Sequence, residues 1–300
     1  MEIGFALPVS GSWATPDNIV RVAREAERLG YHSLWTFQRL LSPVDGRWGE
    51  MYRSVLDPLT TLGFAAAVTG RIRLGVAVVN LPFLSPVLLA KQAATVDVLS
   101  LGRLDLGLGL GWADEEYAAS GVSKRGQGRR ADEFLTVLRQ LFTEDEVDHA
   151  GEFYRIPGMS LRPRPVQSPP PILIGGTAPA ALRRAGRLAD GWVSSSRADL
   201  KALGESVKVV GQAAEEAGKD PAALRFVCRG SVKVRADASG DRAPLTGTLD
   251  QIRSDFADLA EQGITELFVD LNFDPEVGSP DADPAASMLR AKDTLAALAP

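Results

Sequence analysis

The feature that most constrains the fold of this chain is a repeated alternation of a short apolar run with a longer amphipathic stretch. Short, largely apolar runs are typical of strands that are buried on both faces of a parallel sheet. The predicted strands are 3–7, 33–37, 73–79, 104–108, 171–174, 191–194, 225–228 and 266–270. The predicted helices between them are 16–29, 57–68, 86–100, 129–142, 178–188, 200–217, 249–262 and 285–298. This alternation predicts an α/β fold.

The connections between these elements are of two unequal kinds. Turns from helix to strand are short and carry a glycine, as at Gly30, Gly70 and Gly263. Connections from strand to helix are long, and they comprise 8–14, 38–56, 109–128, 229–247 and 271–283. Long loops at the carboxyl ends of the strands suit a (β/α)8 barrel and also an open doubly wound sheet. Because no linker interrupts the units, we predict one TIM-barrel domain over residues 1–300, with insertions at its carboxyl-terminal face and an inserted hairpin and loop at about 147–170.

Composition and charge exclude several classes of function. A formal charge of -5 over 300 residues gives no general attraction to nucleic acid. No apolar stretch reaches the ~20 residues that cross a bilayer, and the amino end predicts a strand rather than a signal peptide. The single cysteine, Cys228, and the two histidines, His32 and His149, lack the spacing of a metal site. We therefore expect a cytoplasmic protein that binds a small-molecule substrate, with no metal and no nucleic-acid or membrane partner.

Glycine-rich and serine-rich segments after three predicted strands indicate where a ligand binds. Gly109 and Gly111 follow the fourth strand, where alternate glycines let a flat ring or a phosphate approach the backbone, unless they serve only a bend in the barrel wall. Gly175 and Gly176 lead into a helix, whose free amides and dipole attract anions. The residues that end the next strand either complete a phosphate site or only cap a helix, and they are Ser194, Ser195 and Ser196. Because no protein nucleophile presents itself, we expect an organic cofactor to carry the chemistry.

Six short runs together resemble a known superfamily. They are GYHSLWT (30–36), LDPLTTL (56–62), RIRLG (71–75), PVLLAKQ (86–92), LSLGR (99–103) and DGW (190–192). In this order they resemble the luciferase-like monooxygenase superfamily, and within it the branch of F420-dependent oxidoreductases. The resemblance covers most of residues 1–196 and is fainter over 197–300.

This resemblance implies a TIM barrel that binds a flavin or the deazaflavin coenzyme F420 at the carboxyl ends of its strands. It implies a bulge on the third strand with a non-prolyl cis peptide bond, which we place at Ala77–Val78, so that these residues and Asn80 support the cofactor ring. It also implies an arginine near the start of the fourth predicted helix that holds the cofactor phosphate. Arg129 fits that role best, although a basic helix start can also be merely solvated.

Two positions depart from the pattern of the F420-dependent branch. Many of these enzymes carry an acidic residue and a histidine after the second strand, where this chain has Gln38 and Arg39. Arginine stays cationic at working pH, so Arg39 is predicted to hold an anionic substrate or to stabilise a reduced cofactor ring. Alternatively, Arg39 is only a salt-bridged residue at the open, carboxyl-terminal end of the barrel. Trp112 and Glu116 follow the glycine run and are expected to cover the pocket, with Glu116 as a candidate acid. Arg39 and Glu116 are therefore the candidate catalytic residues.

The function predicted from these residues and the resemblance is that of an F420-dependent oxidoreductase, which transfers a hydride between C5 of the deazaflavin and a small organic substrate. Four aromatic residues suggest an apolar substrate pocket, namely Trp13, Trp48, Tyr52 and Trp112. An FMN-dependent monooxygenase of the same superfamily is the alternative. An alternative of another class is a non-catalytic protein that binds a flavin or deazaflavin. Relatives in the superfamily are often dimers, so a homodimer is an expectation to be tested.

Overall fold

Eight parallel strands close into a barrel. The computed structural model describes residues 1–236 and 242–300. The barrel strands, labelled β1 to β8 in chain order, are Glu2–Ala6, Ser33–Thr36, Arg73–Asn80, Leu104–Gly109, Ile172–Gly175, Gly191–Val193, Arg225–Ser231 and Glu266–Asp270. Each strand pairs with the next along the chain, and β8 pairs with β1 to close the ring. The predicted TIM barrel is confirmed, because every predicted strand overlaps an observed one.

Ten helices occur in the described part of the chain. They are α1 Pro16–Leu29, α2 Pro58–Ala66, α3 Pro86–Leu99, α4 Asp114–Ala119, α5 Gln127–Thr143, α6 Pro179–Leu188, α7 Leu203–Glu216, α8 Leu249–Glu261, α9 Pro275–Gly278 and α10 Pro284–Ala297. Local sequence sets several starts: the Thr15 hydroxyl accepts a hydrogen bond from the Asn18 amide at 3.2 Å, and Thr248 forms a capping box with Gln251. The sequence did not predict α4 and α9, since they are too short to show helical periodicity.

The region between α5 and β5 contains the inserted hairpin. Its strands, Val147–Ala150 and Arg155–Met159, pair antiparallel within the predicted insertion. A second short pair, Lys233–Val234 with Thr246–Gly247, lies in the long connection after β7. Residues 237–241 of the predicted loop 229–247 lie outside the described residues. Within the described residues, no helix combines the length and the apolar character needed to cross a lipid bilayer.

A buried ion network fills the amino end of the barrel. Asp105 accepts hydrogen bonds from Arg73 Nε at 2.8 Å and from Arg225 Nη1 at 2.7 Å, and Arg225 also reaches Glu266 at 2.7 Å. Glu266 in turn accepts a hydrogen bond from the Ser33 hydroxyl at 2.5 Å. Burial acts to raise the pKa of Asp105, but the two arginines outweigh burial and hold this pKa below its ordinary value. The network ties together five strands and leaves the opposite end of the barrel free for ligands.

Candidate functional site

A cavity of about 420 Å³ lies at the carboxyl ends of the barrel strands. Its volume falls in the range of small-molecule sites, roughly 300–1,000 Å³. The cavity brings together the predicted site residues Arg39, Ala77, Val78, Asn80, Gly109, Gly111, Trp112, Gly175, Gly176, Ser194, Ser195 and Ser196. The structure leaves two predicted residues, Glu116 and Arg129, outside the lining.

A larger groove of about 810 Å³ lies on the outer surface between α1 and α10. Side chains along its rim are solvated, among them Arg21, Arg24 and Arg28. The groove is remote from the strand ends, where barrels of this kind build their sites. We therefore take the smaller cavity as the candidate active site.

A bulge in β3 forms the floor of the cavity. The peptide bond between Ala77 and Val78 is cis, which confirms the position implied by the resemblance, and pairing between β3 and β4 shifts register beside it. A Cβ atom on Gly109 would lie 2.6 Å from Cγ2 of Val78, and one on Gly175 would lie 2.8 Å from its Cγ1. These two glycines therefore make room for the Val78 side chain. From the sequence we had expected Gly109 to allow either the close approach of a ligand or a bend in the barrel wall, and not the packing of a neighbouring side chain.

Gln38 and Asn80 give the floor a polar edge. The Asn80 amide donates a hydrogen bond of 2.8 Å to Oε1 of Gln38, which orients the Gln38 side chain and leaves its Nε2 without a partner among the described residues. The side-chain amide of Asn80 also makes no hydrogen bond within the described residues. It lies beside Gly111, where a Cβ atom would approach Asn80 Cγ at 3.3 Å. Two side-chain amides with free donors therefore line the cavity.

Arg229 is a cavity residue that the sequence reasoning missed. Its guanidinium lies between two rings, with Cζ at 4.5 Å from the centroid of Phe37 and 4.2 Å from that of Phe273. It donates hydrogen bonds to Asp270 at 2.8 Å and to the Ala77 carbonyl at 3.1 Å. Arg229 therefore holds the carbonyl of the cis peptide in place. The available signal was a cation directly after the apolar run 225–228.

Helix α6 begins at the cavity without a side-chain cap. Its N-cap residue is Ala178, and the amides of Thr177 and Ala178 donate to no acceptor in the described part of the chain. Free amides at a helix start, together with the positive end of the helix dipole, attract anions. Gly176 adopts a φ of 131°, which side chains rarely tolerate, so the approach to α6 requires glycine.

The serines that follow β6 lie next to this helix start, because β5 and β6 are adjacent strands. Ser194 is buried, and its hydroxyl accepts a hydrogen bond from the Arg229 amide at 2.9 Å. The Ser195 hydroxyl accepts one from the Arg197 amide at 3.2 Å. The hydroxyl protons of Ser195 and Ser196 have no acceptor among the residues described, so both can donate to a ligand.

Glu116 lies behind the cavity wall and does not face the cavity. Its side chain is 0% exposed, and Oε2 accepts a hydrogen bond from Arg39 Nη1 at 2.7 Å. Its Oε1 accepts hydrogen bonds from the amides of Leu40 at 2.7 Å and Leu41 at 3.2 Å. The carboxylate therefore anchors the segment 39–41. This placement does not support the predicted role of Glu116 as an acid, because the carboxylate is buried and both of its oxygens already accept hydrogen bonds. The sequence alone could not reveal its pairing with Arg39.

Three aromatic rings surround Arg39 at the cavity wall. Its Cζ lies 5.2, 4.9 and 4.8 Å from the ring centroids of Trp48, Tyr52 and Trp112. Tyr52 and Trp112 line the cavity, and Trp48 packs against Trp112. Trp13, which the sequence grouped with them, is instead fully buried in the hydrophobic core. Of the four predicted aromatic residues, two therefore line the cavity, and they do so beside the cation of Arg39.

Arg129 does not reach the cavity. Its side chain is 70% exposed and pairs with Glu152 of the hairpin at 2.7 Å. On the same helix, Gln127 does line the cavity. Two positions along an α-helix are rotated by about 200°, so residue 129 points away when residue 127 points inward. In this structure Arg129 therefore forms an exposed ion pair and does not line the cavity, so its predicted phosphate contact has no support from the geometry.

The cavity is poor in groups that transfer protons near neutral pH. Its described lining contains no Asp, Glu, His, Lys or Cys side chain. The histidines lie elsewhere: His32 is 3.6 Å from Glu2, and His149 is 3.2 Å from Glu133. Residues 1–236 and 242–300 also contain no cluster of metal-binding side chains. The arrangement offers cations and hydrogen-bond donors to a ligand and few groups of its own for acid–base chemistry.

Comparison with known proteins identifies the family. Residues 1–263 match the sequence model of the luciferase-like monooxygenase family, and the chain therefore belongs to this family. An uncharacterized protein of Mycobacterium tuberculosis strain H37Rv is 31% identical over 284 residues, which cover 90% of each chain. The crystal structure of monooxygenase RslO1 from Streptomyces bottropensis shares the fold, with a TM-score of 0.82 and 24% identity over 100% of this chain and 98% of that one.

Relatives with different cofactors occur in this family. The F420-dependent hydroxymycolic acid dehydrogenase of Mycobacterium tuberculosis is 28% identical over 259 residues, covering 83% of this chain and 69% of that protein. The oxygenase component of the flavin-dependent trigonelline monooxygenase of Acinetobacter baylyi is 31% identical over 167 residues, covering 54% of this chain and 44% of that protein. Membership therefore indicates an oxidoreductase or monooxygenase and leaves the choice between F420 and flavin open.

Proposed function

We propose that this protein is an F420-dependent oxidoreductase, which transfers a hydride between C5 of the deazaflavin and a small organic substrate. The observation that carries the proposal is that one cavity joins the bulge at Ala77–Val78 to an uncapped helix start at Ala178. The bulge can support a flat ring and the free helix start can bind a phosphate, so the residues present fit this cofactor. The described lining offers no acid or base, which suits a cofactor that brings the reactive atom with it.

The residues of the floor would position the ring. Bound F420 supplies a carbon that donates or accepts hydride. Ala77 and Val78 offer an apolar support, while the free amides of Gln38 and Asn80 offer hydrogen bonds to a polar ring edge. Arg229 keeps the Ala77 carbonyl fixed. Holding two reactants at contact distance removes roughly 7–11 kcal/mol from a barrier, so positioning is the main contribution we assign to the chain.

The residues at α6 would bind the phosphate. The amides of Thr177 and Ala178 are free donors, and the hydroxyls of Ser195 and Ser196 add two more. Hydrogen bonds to an ionised acceptor are stronger than neutral ones. Binding at this end would therefore fix the cofactor chain, while the segment 38–56 would shape the substrate side.

An FMN-dependent monooxygenase is the second candidate. FMN also combines a flat ring with a phosphate, and the flavin-dependent relative supports this alternative. We place F420 first because the F420-dependent relative aligns with 83% of this chain and the flavin-dependent one with 54%. A non-catalytic protein that binds either molecule is the third candidate.

Fluorescence titration of the purified protein with F420 and with FMN tests the proposal. We expect saturable binding of F420, with a lower Kd than that of FMN, and reduction or oxidation of the bound cofactor by a member of an alcohol and carbonyl panel. Preference for FMN would contradict the proposal and favour the monooxygenase. Binding of F420 without turnover of any panel member would favour the non-catalytic protein, and binding of neither cofactor would refute all three.

A further inference from the structure

We propose that the substrate of this cavity is a small organic carboxylate with an apolar body, and that Arg39 binds its carboxylate group. The inference rests on the proposed function, because it concerns the substrate side of the same cavity. It assigns a substrate class, which neither the family nor the relatives define for this chain.

The charge facing the cavity is positive. The charged side chains among the described lining residues are Arg39 and Arg229. Their counter-ions, Glu116 and Asp270, are absent from the lining and have side chains that are 0% exposed. Cations therefore lie nearer to a ligand than the anions behind them, so an incoming anion is attracted and an incoming cation is repelled.

Arg39 has an unused edge for a carboxylate. Its Nη1 donates to Glu116, whereas its Nε is buried without any partner and its Nη2 makes no hydrogen bond with the residues described. Because Nε has no accessible surface, a carboxylate in the cavity would accept its charge-assisted hydrogen bond from Nη2. In contrast, Arg229 already donates to Asp270 and to the Ala77 carbonyl. Arg39 is therefore the better ligand for an added anion.

Arg197 supplies a third positive charge near the mouth. Its Cζ lies 5.1 Å from the ring centroid of Trp112, and Arg197 forms no ion pair with the described residues. Burial lowers the pKa of Arg39 most strongly, while Arg197 and Arg229 act in the same direction. Glu116 acts against this shift, but Arg39 still lies in the field of two further cations, and a bound carboxylate would offset their repulsion of Arg39.

Aromatic walls define the rest of the ligand. Phe37, Tyr52, Trp112 and Phe273 line the cavity, and the guanidinium of Arg39 is packed against two of them. Rings in such a site bury the apolar body of a ligand whose charged group is held by a fixed polar residue. The two requirements together describe a carboxylate attached to an aryl or similarly apolar group.

Calorimetric titration with benzoate and with neutral benzyl alcohol tests the inference. Both probes are titrated into cofactor-free protein and into protein saturated with F420 or with FMN, whichever binds. The variant Arg39→Gln/Glu116→Gln removes both charges of the buried pair, so no unpaired charge remains. Arg197→Gln removes a surface charge, and Arg21→Gln on α1 is the matched control. Cofactor affinity is measured separately for each variant.

We expect benzoate to bind more tightly than benzyl alcohol and to lose about tenfold or more in affinity in the double variant, as for loss of a charged hydrogen-bonded pair. In Arg197→Gln we expect the affinity for benzoate to fall roughly twofold to threefold, and we expect this difference from the parent protein to disappear at high salt. Arg21→Gln should leave both probes unchanged, and the Kd of the cofactor should stay constant throughout.

Equal affinity for the two probes, or no benzoate binding to either form of the protein, would overturn the inference even if a cofactor binds. An equal loss of benzoate and cofactor affinity in the double variant would assign Arg39 to the cofactor and also overturn it. Failure to bind a cofactor, with benzoate selectivity intact in cofactor-free protein, would instead reject the proposed function alone. Should the double variant not fold, unchanged benzoate affinity in Arg197→Gln at low salt decides against the inference.

Discussion

Arg39 and Glu116 form a buried ion pair, with Nη1 and Oε2 2.7 Å apart and side chains 6% and 0% exposed. We predict that Glu116→Gln destabilises the fold by about 3–5 kcal/mol, because it leaves the Arg39 charge buried without its partner. Unfolding in urea, followed by fluorescence, measures the loss. The exposed neighbour Glu115 provides the control: Glu115→Gln should cost less than about 1 kcal/mol, as for a surface pair. Equal effects of the two substitutions would contradict the burial argument.

Val78 and Gly109 should behave as one packing unit. In Gly109→Ala the new methyl carbon would lie 2.6 Å from Val78 Cγ2. Such overpacking lowers the free energy of unfolding by about 1–3 kcal/mol. Val78→Ala removes that atom, and the new contact with the Val78 Cβ becomes 3.6 Å. We therefore predict that the double variant loses less unfolding free energy than the two single variants lose in sum. A double-mutant cycle measures this difference.

The control for this cycle is Gly63→Ala in α2, where a Cβ atom would meet nothing within 4 Å. It should raise stability by about 0.5–1 kcal/mol, because alanine favours helix more than glycine does. Strict additivity of Gly109→Ala and Val78→Ala would show that the two residues do not compete for space.

The start of α6 allows stability and phosphate binding to be separated. Both Ala178→Asp and Ala178→Asn provide a cap to a helix that lacks one, so each should raise stability by about 0.5–2 kcal/mol. Only aspartate adds a negative charge where we place the phosphate, so we predict that cofactor affinity falls about tenfold more in Ala178→Asp than in Ala178→Asn. Fluorescence titration measures this ratio, and equal affinities would place the phosphate elsewhere. Gly176→Asp is a poorer test, since φ at Gly176 is 131° and any side chain there strains the backbone.

The carboxylate of Asp105 should make stability depend on pH. Arg73 and Arg225 hold its pKa in the folded protein below the ordinary 3.8. Its contribution is therefore complete above pH 3.8 and is lost as the pH falls through the lower folded value. We predict that Asp105→Asn costs about 3–5 kcal/mol at pH 7 and that the difference from the parent protein shrinks below pH 4. Urea unfolding between pH 7 and pH 3 tests this, and a constant difference would refute it.

The barrel could be predicted from sequence because its signals are local. Apolar runs such as 104–108 and 266–270 mark strands without reference to any other part of the chain. The same holds for the capped start of α1 after Thr15. Helix α4 escaped prediction because Asp114–Ala119 has few turns in which a pattern could repeat.

Several site residues could not be predicted, because their roles depend on distant partners. Glu116 is paired with a residue 77 positions away, so its carboxylate appeared free for chemistry when it is occupied. The position of Arg129 could not be predicted, because the packing of α5 on the barrel decides that Gln127 faces the cavity and Arg129 does not. Arg229 was missed because only the closed barrel brings it to the carbonyl of Ala77.

The ion network that joins the barrel strands lies at the amino end of the barrel, whereas the cavity lies at the carboxyl end. None of Asp105, Arg225 and Glu266 lines the cavity at the other end of the barrel. Mutations that remodel the rim therefore leave the interactions that close the barrel intact. Such separation makes the scaffold evolvable, and new specificities can be selected on the loops while the molecule remains folded.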